Sequence, residues 1–207
     1  MKKFHVFFVA ASAAMLSITS AHASSGTFRV AHDIGMGAEA INVDPASQGR
    51  FWQVTEKTMS RLVRPALNGE PEPNLATEWS ANDSATEWIF KLREGVKFHD
   101  GTSFDAADVV YTLEHVRDPK FDSPAASVIS MVDTIEAVDP LTVKMKLKAP
   151  YADLALQLMD YRMRMIPEGS ADTIATTGIG TGPFIQVTLD PVGTTVLKAN
   201  PDYWEGP

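Results

Sequence analysis

The 207-residue chain contains no cysteine, and this absence excludes several kinds of chemistry. Without a thiol there is no disulfide framework, no thiolate nucleophile and no Cys-x-x-Cys zinc site. Three histidines follow residue 23, namely His32, His99 and His115, and their spacing matches no metal-binding motif. The sequence therefore predicts no metal site and no bound cofactor.

Positive charge is also scarce. The chain has 18 Lys and Arg against 26 Asp and Glu, a net charge of −8, and residues 24–207, which exclude Lys2 and Lys3, carry −10. Nucleic-acid binding needs a basic surface, so the composition argues against it. The acidic excess is compatible with cationic ligands, but a role in solubility is the preferred explanation.

No apolar run is long enough for a membrane anchor. The longest, residues 4–18, follows two lysines and is interrupted by polar side chains, whereas a membrane-spanning helix needs about 20 apolar residues. Ala21-His22-Ala23 then has the small-x-small pattern of a cleavage site. Residues 1–23 are therefore predicted to be a secretory signal cleaved between Ala23 and Ser24. The mature protein is expected in the periplasm, without stable membrane insertion.

Residues 88–116 carry the clearest local signals of the chain. Trp88, Phe90 and Leu92 fall on one face of a strand with a period of two residues. Asp100-Gly101 predicts a turn, because glycine adopts positive φ without a Cβ clash. This stretch is expected to form a strand with one buried face, followed by a turn and then a helix.

The helix of this stretch has a recognisable start. Asp105 is positioned as its N-cap, and Asp108, three residues later, completes a loose form of the capping box. Val109, Leu113 and Val116 recur at helical spacing and predict an apolar face. The aspartates are therefore given structural roles rather than catalytic ones.

A β-hairpin is predicted farther along, from residues 132–138 and 141–147 around Asp139-Pro140. Its second strand alternates apolar residues with lysines. Lys144 and Lys146 lie on one face, which predicts a solvated face or a protected sheet edge.

Gly178–Pro183 has the glycine content of a phosphate loop. A phosphate loop needs a strand before it and a helix after it, so that the helix N-terminus meets the phosphate. Residues 184–189 are strand-like instead. Nucleotide binding is therefore not expected.

Gly35 and Met36 are candidate ligand-binding residues. They lie in the glycine-punctuated loop that follows a strand predicted for residues 27–31. In open α/β sheets, ligands bind beyond the carboxyl ends of the strands. An ordinary connecting loop is an equally good interpretation.

Arg162 and Arg164 are the second pair of candidates. They alternate with Tyr161, Met163 and Met165, which predicts one buried edge and two outward-pointing arginines. An arginine beside a cleft can grip a ligand carboxylate with both arms of its guanidinium group. A structural or solvated ion pair is the favoured alternative.

Residues 92–113, LREGVKFHDGTSFDAADVVYTL, resemble the signature block of the family 5 extracytoplasmic solute-binding proteins. Three further elements resemble the same family in the same order. They are Pro-x-Leu-Ala-x-x-Trp at residues 73–79, Gly-Thr-Gly-Pro-Phe at 180–184 and Asn-Pro-x-Tyr-Trp-x-Gly at 200–206. The resemblance covers the chain from about Thr27 to its end.

The resemblance implies an α/β fold of the periplasmic binding protein type, class II, in its large three-subdomain form. Its ligand sits between two lobes that close by a hinge. Residues 24–46 and 178–207 would belong to the first lobe, and residues 47–177 would form the additional subdomain. Because family members continue past the Tyr-Trp element, this chain is expected to be truncated, to lack the C-terminal lobe and to bind weakly.

The same resemblance implies the solute-binding component of an ABC importer, which delivers its ligand to a permease. Peptides are the expected ligand, with nickel chelates, haem and oligosaccharides as alternatives, and a monomer is expected. A secreted hydrolase is the alternative from a different class. The chain has no Gly-x-Ser-x-Gly elbow and no carboxylate pair distinguished by spacing, so an enzyme is not favoured.

Overall fold

A computed structural model describes most of the chain. The chain divides into two compact units, Met1–Asp33 and Ile34–Pro207. Little of the first unit is described, and the account below concerns the second. The described residues are 26, 27, 29, 42–47, 51–190 and 193–206.

Several predictions fall outside these residues. They are the signal 1–23 with its cleavage between Ala23 and Ser24, and the candidates Gly35 and Met36. Of the strand predicted for residues 27–31, the described Thr27 and Arg29 are not in a strand.

The described part of the chain mixes short helices with antiparallel strands. The helices are α1 (Trp52–Thr58), α2 (Ala106–Arg117), α3 (Leu154–Gln157) and α4 (Ile174–Thr177), with a 3₁₀ turn at Ala126–Ile129. The strands are β1 (Val63–Pro65), β2 (Pro71–Pro73), β3 (Ala76–Ala81), β4 (Glu87–Leu92), β5 (Val132–Asp139), β6 (Thr142–Leu147), β7 (Phe184–Thr188) and β8 (Val196–Ala199).

A four-stranded antiparallel sheet, in the order β3-β4-β6-β5, forms the centre of the unit. Trp88, Phe90 and Leu92 of β4 are buried, which confirms the predicted strand face. Phe90 lies opposite Val143 of β6, also fully buried, and α2 packs against β5 and β6. The core therefore lies between one face of this sheet and the apolar side of α2.

Strand β6 is an interior strand, so the predicted alternative of a protected edge is wrong. Strand β4 pairs with one side of it and β5 with the other. The lysines lie on the polar face, where Lys144 pairs with Glu136 of β5 at 2.9 Å and Lys146 is exposed. The other predicted alternative, a solvated face, is confirmed.

Helix α2 begins with the predicted capping box. Asp105 accepts a hydrogen bond from the backbone N–H of Ala107 at 2.7 Å, and Asp108 accepts one from the N–H of Asp105 at 2.9 Å. The second oxygen of Asp108 accepts the N–H of Glu168 at 2.8 Å. These bonds stabilise the helix start and also fix the segment after Ile166 to it.

The glycine-rich segment 178–183 passes directly against the end of α1. The N–H of Gly182 donates to the carbonyl of Thr58 at 2.9 Å. A Cβ on Gly180 would lie 2.2 Å from that same carbonyl oxygen, so only glycine allows the approach. Strand β7 follows the segment, as predicted, in place of the helix that a phosphate loop needs.

His99 holds this segment from the other side. Its Nε2 is 3.0 Å from the carbonyl of Gly182, and its Nδ1 accepts the N–H of Gly180 at 3.3 Å. These contacts require the neutral ring with the proton on Nε2. Burial lowers the pKa of His99, and the Gly182 carbonyl and Asp100 oppose that shift only in part.

The Tyr-Trp element near the end of the chain packs onto the strands next to the central sheet. Glu205 forms a two-pronged ion pair with Arg64, at 2.9 Å for each bond. The guanidinium of Arg93 lies 4.3 Å from the ring centre of Trp204. The division into a first lobe (24–46 and 178–207) and an additional subdomain (47–177) stays a prediction.

The Asp105 cap can be tested by substitution. We expect Asp105→Ala to lower the free energy of unfolding by about 1 kcal/mol, because the Ala107 N–H loses its acceptor. Asp105→Ser keeps an oxygen at the cap and should retain most of that stability. Urea unfolding followed by circular dichroism measures both variants, and an equal loss in the two would contradict the capping role.

The His99 contacts predict a dependence of stability on pH. The pKa of His99 is lowered by folding, so below about pH 6.5 the unfolded chain binds a proton more readily than the folded chain. This contribution to stability is present above that pH and is lost as the pH falls. We expect His99→Gln to be less stable near pH 8 and to lose less stability than the parent protein on acidification to about pH 5.

Urea unfolding at a series of pH values measures this difference. An unchanged slope of the unfolding free energy against pH in His99→Gln would show that another group carries the dependence.

Candidate ligand-binding surface

Arg164 is buried, with 2% of its surface exposed. Its backbone forms an antiparallel bridge with Arg61, and Met163 and Met165 on either side are fully buried as well. Tyr161, expected on the buried edge, is instead 39% exposed. The predicted burial of Met163 and Met165 is confirmed, but the alternation is wrong for Tyr161 and Arg164, because the chain here crosses the interior and is covered on both sides.

The side chains of Arg61 and Arg164 converge on one carboxylate. Their Nη2 atoms lie 3.6 Å and 3.9 Å from Oε1 of Glu56 on α1. Each also donates to a backbone carbonyl, Arg61 to Met159 and Arg164 to Met59. Two buried cations thus share one carboxylate that is partly open to solvent.

This arrangement is electrostatically costly for Arg164. Burial, followed by the charge of Arg61, lowers the pKa of Arg164 to about 10. Its Nε and Nη2 have no hydrogen-bond partner within the described part of the chain. A role for Arg164 in gripping a ligand carboxylate stays a prediction, and it would require the side chain to leave this position.

Arg162 forms an ion pair within its own loop. Its Nε and Nη2 each donate to Asp160 at 2.8 Å, and its backbone N–H donates to the same carboxylate at 2.9 Å. Burial alone would raise the pKa of Asp160, but Arg162 lowers it overall. This geometry is the structural ion pair that the sequence favoured, and a ligand-binding role for Arg162 stays a prediction.

Next to these arginines, two aromatic side chains lie at the surface. Trp52 of α1 is 45% exposed and Tyr161 is 39% exposed. Their ring centres are 6.4 Å apart with the planes at 66°, an edge-to-face contact. The guanidinium of Arg162 lies 5.3 Å from the ring centre of Tyr161.

The aromatic pair forms one wall of a shallow surface pocket, which is called the Trp52–Tyr161 pocket below. Its lining consists of Asn42, Asp44, Pro45, Ser47, Phe51, Trp52, Thr55 and Tyr161. Sequence reasoning missed it because its parts are more than 100 positions apart. The sequence shows Trp52 but not its exposure, so it carries no signal for the pocket.

Several polar atoms of the pocket lining are engaged with neighbouring groups. Asp44 accepts the N–H of Ala46 at 2.8 Å through one oxygen, and its other oxygen lies 2.8 Å from Nε2 of His115. Asn42 accepts the N–H of Asp44 at 2.9 Å. The Thr55 hydroxyl donates to the Trp52 carbonyl at 3.0 Å. The pocket therefore combines aromatic surface with a partly bonded polar frame.

None of the helices in the described ranges is both long enough and apolar enough to cross a membrane.

Solved structures share this fold. The binding protein AgaA of Agrobacterium tumefaciens, in complex with agropinic acid, has a TM-score of 0.74 and 29% identity, over 80% of this chain and 35% of that one. NikZ of Campylobacter jejuni, in complex with Ni(L-His), has a TM-score of 0.72 and 26% identity, over 80% and 34%. The fold is that of a periplasmic binding protein, as the sequence predicted.

A match to a family model shows the family to which this chain belongs. The family model described as bacterial extracellular solute-binding proteins, family 5 Middle, matches residues 70–207. The chain belongs to this family.

Its curated relatives include peptide-binding proteins. Di/tripeptide-binding protein 2 of Pseudomonas aeruginosa is 30% identical over 65% of this chain and 30% of its own length. The probable D,D-dipeptide-binding periplasmic protein DdpA of Escherichia coli is 30% identical over 82% of this chain and 36% of its own length. The chain thus spans about a third of the length of these relatives.

The shared carboxylate of the arginine cluster can be tested directly. We expect Glu56→Gln to lower the free energy of unfolding by about 1–2 kcal/mol, because two buried guanidinium groups lose their counter-charge. The effect is smaller than for a fully buried pair, since Glu56 is itself partly solvated. Urea unfolding provides the measurement.

Glu136→Gln is the matched control, because its ion pair with Lys144 lies on the solvated face of the sheet. This variant should be nearly as stable as the parent. If Glu56→Gln were equally harmless, the cluster would not need the carboxylate.

Proposed function

We propose that this chain forms part of a periplasmic solute-binding protein that captures a peptide and delivers it to the permease of an ABC importer. The observation that carries the proposal is the family 5 match over residues 70–207. The names of the relatives supply the ligand class, because they describe binding of di- and tripeptides and of D,D-dipeptides. Glutathione, bound by the relative GsiB of Escherichia coli at 31% identity, is itself peptide-like.

Other solutes of the family are the alternative ligands. NikZ was solved with Ni(L-His) and AgaA with agropinic acid, so chelates and small organic acids have specific support from structures above 25% identity. Haem and oligosaccharides have support only from the resemblance of the sequence. Peptides are preferred because the curated relatives at 30–31% identity carry peptide names.

The proposed protein is a monomeric binder without catalytic activity, and it reaches the periplasm through the predicted signal. Its relatives are solute-binding proteins, which favours binding over hydrolysis. The chain spans about a third of their length, so we propose that these 207 residues alone hold a ligand weakly. A ligand contacted from one side keeps much of its hydration, and less apolar surface is buried on binding.

Weak, selective binding is the expected experimental result. The chain is expressed with its N-terminus intact and purified from the periplasm of a bacterial host. It is then titrated, in separate nuclear magnetic resonance experiments, with trialanine, a nickel–histidine chelate, haem and a maltooligosaccharide. We expect saturable shifts with trialanine at a Kd weaker than about 1 μM, a binding free energy less favourable than about −8 kcal/mol.

Two results would contradict the proposal. Saturable binding of another solute class without any response to peptides would reassign the ligand. Release of alanine or dialanine during the titration would show hydrolysis and would favour the secreted hydrolase. A peptide Kd below about 1 μM would contradict only the expectation of weak binding.

A further inference from the structure

Two turns in the described part of the chain share one backbone geometry. In the first, the N–H of Gly69 donates to the carbonyl of Ala66 at 2.9 Å, and the N–H of Ala66 donates to the carbonyl of Glu70 at 2.8 Å. In the second, residues 98–102, the corresponding bonds measure 2.9 Å and 2.8 Å. Gly69 and Gly101 occupy the same left-handed position, with φ of +86° and +90°. The two turns therefore form a matched pair within one protein.

The side chain before each glycine makes the two turns chemically different. Asn68 accepts the N–H of Glu70 at 3.1 Å, and Asp100 accepts the N–H of Thr102 at 3.0 Å. The carbon of the Asn68 amide can be attacked by the backbone nitrogen of the next residue, with loss of ammonia. The carboxylate of Asp100 resists the same attack, because its negative charge repels an electron-rich nitrogen.

Asn68 is the asparagine of this chain that is best suited to such a reaction. Of the five asparagines, it alone precedes a glycine, whose missing Cβ leaves the attacking nitrogen unobstructed. Asn200 precedes a proline, which has no backbone N–H to lose. Asn74 is 7% exposed, and Asn42 precedes a β-branched valine. Asn82 precedes an aspartate, and its side chain makes three hydrogen bonds.

The first turn lies at the tip of a weakly bonded hairpin. Asn68 and Gly69 are exposed, and the strands below them, β1 and β2, have three residues each. Pro65 lies opposite Pro71 in this ladder, and neither proline has an N–H to donate across it. Local opening is easiest where few hydrogen bonds and few buried contacts hold a segment. The Gly69 nitrogen can therefore reach Asn68 at a low cost.

The second turn is anchored to the interior instead. Phe98 is buried in the core. The backbone N–H of His99 donates to the carbonyl of Gly180 at 2.9 Å, and its ring Nε2 is 3.0 Å from the carbonyl of Gly182. Opening this turn would break these contacts as well as the bonds within the turn.

We infer that Asn68 is a site of spontaneous deamidation. The Gly69 nitrogen bonds to the side-chain carbon of Asn68 and loses its proton. The bond from that carbon to the amide nitrogen breaks, so ammonia leaves and a succinimide ring remains. Water then opens the ring at either carbonyl and yields aspartate or isoaspartate. Either product adds a negative charge beside Glu70, and isoaspartate also lengthens the backbone of the turn by one methylene.

Peptide mapping by mass spectrometry measures this reaction. The purified chain is incubated in mildly alkaline buffer, where the attacking nitrogen loses its proton more readily, and is digested at intervals. Fragmentation assigns the change from amide to acid to one residue, and an isoaspartyl methyltransferase detects isoaspartate. We expect Asn68 to react at least about ten-fold faster than Asn42, Asn74 or Asn82. Its rate should lie within about ten-fold of that of the free peptide acetyl-Ala-Leu-Asn-Gly-Glu-amide, because the tip opens easily.

Asp100→Asn is the matched variant. It places the same Asn-Gly pair in the anchored turn, and its amide oxygen can still accept the N–H of Thr102. We expect position 100 of this variant to react at least about ten-fold more slowly than Asn68 in the same molecule. In concentrated urea, where both turns are lost, the two positions should react at similar rates. Asn68→Gln is the negative control, since its longer side chain would have to close a larger ring.

Three results would overturn the inference. The first is an unmodified Asn68 after a time in which the free peptide has reacted completely. The second is an equal rate at Asn68 and at Asn82. The third is an equal rate at Asn68 and at position 100 of folded Asp100→Asn, which would remove its structural basis. Far-UV circular dichroism establishes folding, and if Asp100→Asn does not fold, the ratio of the Asn68 rate to that of the free peptide decides the same point.

Discussion

The close passage of the Gly180–Gly182 backbone along the end of α1 is the constraint on which the surrounding structure depends. A Cβ at Gly182 would lie 2.6 Å from the carbonyl oxygen of Lys57, and one at Gly180 would collide with that of Thr58. His99 fixes the other side of the same segment through both ring nitrogens. Three regions that are distant in the sequence are therefore joined where side chains are absent, and any side chain there would push them apart.

The burial of Arg164 beside this junction is explained by the backbone carbonyls at the end of α1. The last carbonyls of a helix lack partners within the helix and carry partial negative charge. At the end of α1, the carbonyl of Thr58 accepts the N–H of Gly182, and the carbonyl of Met59 accepts Nη1 of Arg164 at 2.9 Å. Arg164 thus acts as a C-terminal cap delivered from a segment distant in the sequence. Glu56 offsets part of the cost of burying its charge.

The sequence predicted the features that depend on neighbouring residues. The buried face of Trp88, Phe90 and Leu92 and the Asp105 cap each follow from spacing within one element, so periodicity and capping rules were sufficient. The burial of Arg164 could not be predicted in this way, because it depends on α1 and on a bridge to Arg61 about 100 positions earlier. The Trp52–Tyr161 pocket has the same origin, because it brings α1 together with Tyr161, more than 100 positions later in the sequence.

The charged groups around the Trp52–Tyr161 pocket are fixed in the same way, by contacts within the chain. Asp44 in the pocket lining, and Asp160 and Arg162 beside Tyr161, are each bound to another group of the chain. Releasing any of them would leave its partner without a counter-charge or a hydrogen bond, at a cost of about 1–3 kcal/mol for a buried group. Asp44, Asp160 and Arg162 therefore stabilise the local structure around the pocket.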